Sequence, residues 1–312
     1  MRETLYIRLG ATPADDVEFG TAAAEVRSLA VRRGTLDQAA QLAPGRRVVV
    51  FVPSADVRLT TVAVPARQLA RVLQAVPFVI EDQVAEDVET LHFAVGTRQA
   101  DDRYPVLIVS RRRLETWVEP LRDHGLRAEV LTPEVLALPV GDGHWNGLVN
   151  AGQAVVRHDH WAGFACHADD LHGYLQIAAG EHRPPLHLLV CGDSTTDWSR
   201  LDWPLKLLPG HSSALSALAA GYFDGQAINL LQGAYSQQKD LQKLWRPCRL
   251  PAALLLAWLL IGVAGLAVDN ARLAAELRRQ DQANLQRFTA LFPSQTRVVN
   301  LDAQLEQQLR QL

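Results

Sequence analysis

The chain has 312 residues, and its 31 Lys and Arg nearly balance 34 Asp and Glu, for a formal net charge of −3. That balance leaves no basic field to attract nucleic acid. Its three cysteines, Cys166, Cys191 and Cys248, are widely spaced with no CxxC, which excludes a disulfide framework and a cysteine zinc site.

In chain order, Leu5 to Leu9 (LYIRL) predicts a first strand, with Gly10 as its turn signal. Arg47 to Val52 (RVVVFV) is a β-branched run of the kind found in buried strands. Val57 to Val64 follows a short polar break and predicts a hairpin. Leu69, Val72, Leu73 and Val76 fall at i, i+3, i+4 and i+7, one face of an amphipathic helix that Pro77 should close. Val106 to Ser110 (VLIVS) is another strand. Leu114, Trp117, Val118 and Leu121 repeat the helical spacing, and Gly125 should stop that helix. Thr132-Pro133-Glu134 has the cap-then-proline order of a short helix start.

From Gly147 the pattern restarts. Leu148 to Asn150, Ala154 to His158 and Trp161 to Cys166 predict three short strands, and a helix fits 169–180. Leu186 to Cys191 (LHLLVC) and Leu205 to Leu208 predict two more strands, and Ser212 can cap a helix carrying Leu215, Leu218 and Tyr222. Residues 1–245 therefore form two successive α+β halves, each opening with strand, glycine turn, strand.

Leu250 to Val268 (LPAALLLAWLLIGVAGLAV) carries no charge. As a helix it would span roughly 28 Å, close to the ~30 Å of a bilayer's hydrocarbon core. Lys239, Lys243, Arg246 and Arg249 crowd the side before it, and the N-terminus MRETLYIRLG has no apolar export segment. The expected topology is single-pass, with 1–245 in the cytoplasm and 269–312 across the membrane. Past the span, Leu273, Leu277, Leu285 and Phe288 keep a helical stripe to about Leu291, ahead of Pro293. Such a stripe needs a partner, as in a coiled coil, and predicts a homodimer.

No GxGxxG, GxxxxGK, GxSxG or HExxH occurs. His158-Asp159-His160 with His167 and His172 is the best metal candidate, but strand alternation sends His158 and His160 to one face and Asp159 to the other. Solvated strand residues account for it better than a metal site, and no cofactor is expected. Glu81, Asp82, Glu86, Asp87 and Glu89 form an acidic run beside apolar Phe78, Val79 and Ile80. Acids for steering beside an apolar anchor suit a basic protein partner.

The two halves resemble the actin-like ATPase superfamily, in which the opening hairpin of each half offers an acid to the nucleotide's metal and phosphates. Here Arg8 and Asn150 stand in those places. The whole chain resembles type II secretion system protein L in order. Pro77 to Val95 (PFVIEDQVAEDVETLHFAV) looks like that family's acidic segment, and Ile228 to Tyr235 (INLLQGAY) like its pre-membrane signature. The resemblance implies a cytoplasmic actin-like domain that binds the secretion ATPase, protein E. It also implies one inner-membrane helix and a periplasmic part that dimerises, often with protein M. The family usually ends in a small ferredoxin-like periplasmic domain, which a chain stopping at Leu312 is expected to lack. Two functions compete: a non-enzymatic adaptor between motor and membrane platform, and a membrane-tethered actin-like kinase or ATPase.

Overall fold

The β-branched run is a central strand. In the computed structural model, which describes residues 2–12, 16–23, 29–192, 198, 201–209, 213–222, 225, 227–236 and 238–291, Val49 to Val52 are fully buried. The first half contains β1 (Thr4–Arg8), β2 (Val17–Ala22), β3 (Arg32–Gly34), α1 (Leu36–Ala40), β4 (Arg47–Val52), β5 (Arg58–Ala63) and α2 (Leu69–Ile80). It continues through β6 (Leu91–Val95), β7 (Arg103–Ser110), α3 (Arg111–Asp123) and β8 (Val130–Pro133). The second half contains β9 (Trp145–Asn150), β10 (Gln153–Asp159), β11 (Ala162–His167), α4 (Leu171–Ala179), β12 (Leu186–Cys191), β13 (Leu205–Leu208) and α5 (Ala214–Gly221).

Each half is built on a sheet of the same design. The orders are β3-β2-β1-β4-β8 and β11-β10-β9-β12-β13. In both, the opening strand pairs antiparallel with its successor on one side and parallel with a later strand on the other. This doubled α+β sheet is the actin-like architecture. One core runs through both sheets, joining Ile7, Val50 and Phe51 to Leu148 and Leu189 by way of Leu136 in the crossover and Leu215 and Leu218 on α5. A second core lies under α4, with Leu171, Leu175 and Leu188.

The expected β4–β5 hairpin does not form. Pro53 and the 3₁₀ turn Ser54–Asp56 carry the chain away, and β5 pairs instead with β7 in a third, antiparallel sheet, β5-β7-β6. α2 packs on that sheet through Val72, Val76 and Ile80. Pro77 does not close α2, because the buried Ile80 holds one further turn; Leu69 faces solvent. Thr132 is not a helix cap. It lies in β8 opposite Phe51, and the following 3₁₀ turn Glu134–Ala137 starts after Pro133 with no side-chain cap. α3 runs as the spacing predicts, with all four apolar positions buried and Gly125 at φ +71° behind it. α5 is capped by Ser213, whose hydroxyl accepts from the Ser216 amide; Ser212 lies outside the described residues.

The chain divides into two units at Gln237/Gln238. In the second, α6 (Gln238–Leu291) is a helix of 54 residues, and its stretch Leu254–Arg287 is long and apolar enough to cross a membrane. Pro293 and everything else beyond Leu291 lie outside the described residues.

Candidate functional site

The acidic segment leaves the end of α2, and the 3.6-residue period sorts its neighbours. Val72, Val76 and Ile80 fall on the buried stripe, so Phe78 and Val79 must point outward. Phe78 is 76% exposed, whereas Ile80 is fully buried and cannot be part of an external anchor. Glu81 and Asp82 lie in a 3₁₀ turn whose last carbonyl, on Gln83, accepts from Arg58 at 2.6 Å. Asp87 caps the next turn, with its carboxylate accepting from the Glu89 amide at 2.9 Å. The Glu89 carbonyl accepts from Arg111 Nε at 2.9 Å. The backbone is thus held while Glu81, Asp82, Glu86, Asp87 and Glu89 all stay exposed and form no ion pair with the described residues. A groove of about 260 Å³ opens beside them, lined by Arg58, Val84, Glu86, Leu91 and Ile108 among others.

A larger cleft, about 680 Å³, holds both opening turns. Arg8 and Asn150 line it, as their place in the two hairpins requires. Arg8 does not face open space. Its Nε donates to Glu134 at 2.7 Å, and its guanidinium stands 3.7 Å from Glu18. Both carboxylates are buried. Glu18 also meets Arg33 at 3.3 Å and accepts from the Leu215 amide in the first turn of α5, so one carboxylate on β2 fastens a helix of the second half. Burial pushes the Glu134 carboxyl above its usual range, against the pull of Arg8. Sequence reasoning missed Glu18 and Glu134; the only signal was Glu134 directly after Pro133 at a turn.

A second buried arginine was equally hidden. Arg157 is 2% exposed and donates to the carbonyls of Leu136, Leu138 and His160 at 2.6–2.9 Å, gripping the crossover between halves. Burial lowers its pKa to about 10. The histidines do not converge. A register shift in β10 separates His158 from His160, and His158 packs against Trp145 and Phe164 while His160 meets Trp161. His167 pairs with Asp169, and among the described residues no three metal-capable side chains gather. On α6, Leu273, Leu277 and Leu285 are exposed; the side chain of Phe288 lies outside the described residues.

Comparison with known proteins bears on the family and the fold. The family model described as type II secretion system (T2SS), protein L, matches residues 5–238. The type II secretion system protein L of Dickeya chrysanthemi is 28% identical over all of this chain and 76% of that protein. The Klebsiella pneumoniae protein of the same name is 31% identical over 84% of this chain and 63% of its own length. Among solved structures, the cytoplasmic domain of EpsL, an inner membrane component of the type II secretion system of Vibrio cholerae, superposes with a TM-score of 0.60. The match covers 75% of this chain and 100% of that one, at 23% identity, and shows the shared fold.

Proposed function

The chain belongs to the type II secretion system protein L family, and from that premise we propose that it is the adaptor that brings the cytoplasmic secretion ATPase, protein E, to the inner-membrane platform. The observation that carries this reading is the acidic segment. Phe78 supplies an exposed apolar anchor, and Glu81, Asp82, Glu86, Asp87 and Glu89 follow it with charge that forms no ion pair among the described residues. An uncovered aromatic with an acidic run after it fits a basic protein surface. Reversing Glu81, Asp82 and Glu86 to Lys should slow association with the ATPase by about tenfold at low ionic strength, with the difference shrinking as salt rises. Unchanged association and salt dependence in a folded variant would rule out this docking face.

The topology follows the charge pattern. Lys239, Lys243, Arg246 and Arg249 before the apolar run favour the cytoplasm for the first unit and the periplasm for the far end of α6. There, the stripe of Leu273, Leu277, Leu285 and Phe288 pairs with a second copy, with protein M as a further partner. The competing reading, an actin-like enzyme, has the cleft in its favour. Arg8 speaks against it. Its guanidinium bonds Glu134 and stands beside Glu18, a fixed cation where a phosphate-bound Mg²⁺ would need a carboxylate.

A further inference from the structure

The segment Ile228–Tyr235 joins α5 to α6. Apart from a 3₁₀ turn at Gly233–Tyr235 it has no regular structure. It is nevertheless bonded, from Asn229 to Gln232, to two sheet edges. β8 is the outer strand of the first sheet and β6 the outer strand of the third. Each leaves backbone donors and acceptors that a sheet edge must satisfy.

Two amide side chains supply what a neighbouring strand would. Asn229 donates to the Glu129 carbonyl at 2.8 Å and accepts from the Leu131 amide at 3.0 Å, and the Leu230 amide donates to the Leu131 carbonyl at 2.8 Å. Gln232 does the same on β6, accepting from the Val95 amide at 3.0 Å and donating to the Val95 carbonyl at 2.9 Å. Between them, the buried His92 ring on β6 donates to the Leu230 carbonyl at 2.8 Å and meets Tyr235 edge-on at 5.1 Å. The Tyr235 hydroxyl donates to Glu115 at 3.1 Å. Ile228 and Leu230 are buried in the same core as Leu131.

The strand that receives Gln232 and carries His92 is the one the acidic segment runs into. Glu89 precedes β6 by one residue, Thr90, and its carbonyl is held by Arg111, the first residue of α3. The acidic segment therefore runs into a strand whose outer edge Ile228–Tyr235, the strap, covers.

We propose that Ile228–Tyr235 is a latch whose seating on β6 and β8 holds the order of the acidic segment, with Asn229 and Gln232 as its catches. When the latch seats, β6 gains an outer partner and Val84 to Val95 are held. When it lifts, both sheet edges open and the acidic segment loosens. By reciprocity, holding the acidic segment also seats the latch. The coupling stands whatever binds the acidic segment, so its failure and the failure of the docking reading are separate results.

Hydrogen exchange on the full chain in detergent micelles tests it. Asn229→Leu with Gln232→Met keeps the approximate size but removes the acceptors of the Leu131 and Val95 amides together with both donors. Exchange at Val95 and Leu131 should rise at least tenfold, and exchange across 84–91 should rise with it, while β1 and β4 stay protected. Should the double variant lose protection throughout, Gln232→Met alone carries the same measurement at Val95 and across 84–91. In the opposite direction, Arg111→Ala releases the Glu89 carbonyl and should speed exchange at Leu230 and Leu231. Faster exchange at Val95 with 84–91 unchanged overturns the coupling, as does an Arg111→Ala variant whose strap amides exchange at the wild-type rate.

Discussion

Arg8 shows how much one side chain decides. In sequence it is legible as a basic residue where an actin-like hairpin carries an acid. Its partners are not, because a buried Glu and a surface Glu look alike until the fold brings Glu18 and Glu134 to one place. Arg8 and Asn150 stand where the hairpin acids are expected, yet the cleft holds carboxylates from elsewhere: Glu18 on β2 and Glu134 in the crossover, both beside Arg8, with Asp16 and Asp56 also in its lining. We expect the full chain with Mg-ATP to release no phosphate above a buffer control; turnover that an Arg8 or Asn150 substitution abolishes would reverse that view. Arg157 was hidden for the same reason, since nothing in QAVVRHD marks its guanidinium as the filling of a core. His92 gives a pH dependence. Burial lowers its pKa to about 4, opposed by the Leu230 carbonyl and assisted by Arg111. The unfolded chain titrates near the ordinary value of 6.5. Between these values only the unfolded state takes up the proton, so stability is full above about pH 6.5 and falls as pH drops toward 4. At about 1.4 kcal/mol per pH unit the loss approaches ~3 kcal/mol. Urea midpoints measured from pH 7 to pH 4 should show it, and His92→Gln should flatten that part of the slope; equal slopes for the two proteins would remove His92 as its source.

At the scale of elements, periodicity found what it could. α3, β4, β12 and β13 lie where the apolar spacing puts them. β2 escaped because Glu18, Gly20 and Thr21 interrupt its alternation, although Glu18 is buried. The third sheet escaped because strand pairing is non-local. Val57 to Val64 reads as a strand, but nothing in it names Arg103–Ser110 as the partner. Pro77 is the instructive case. A proline in a helix interior costs about 3 kcal/mol relative to alanine, through a lost amide and a clash with the preceding turn. The burial of Ile80 offsets that cost and carries α2 past the proline. Pro77→Ala should therefore raise stability by about 1–3 kcal/mol, less whatever the proline gains by stiffening the unfolded chain. Thermal unfolding followed by circular dichroism checks this, and a lowered midpoint would mean that the proline sets a geometry the packing requires.

For the whole molecule, the doubled architecture was visible as a repeated order of elements even though the two halves share little sequence. The repeat was legible because each half must open with an antiparallel hairpin and close with parallel strands to build its sheet. The membrane arrangement is a prediction at this scale. A reporter fused after Arg279 should be active only as a periplasmic fusion, and Leu277→Cys should crosslink to its twin in a second copy. Cytoplasmic reporter activity would refute the orientation, and a protein that stays monomeric in detergent and in bilayers would refute the pairing. α6 has a further consequence. It is one helix of 54 residues, continuous from Gln238 through the apolar run to Leu291. At ~1.5 Å per residue it is about 80 Å long, and the part beyond Val268 alone is about 35 Å. A continuous helix transmits angle as well as length. Each residue turns the chain by about 100°, so the azimuth of Leu273 and Leu277 is fixed by residue count from Gln238. If two copies meet along that stripe, the phase of the helix sets which side of its first turn each presents to the other, as the setting of a key is written into its shaft.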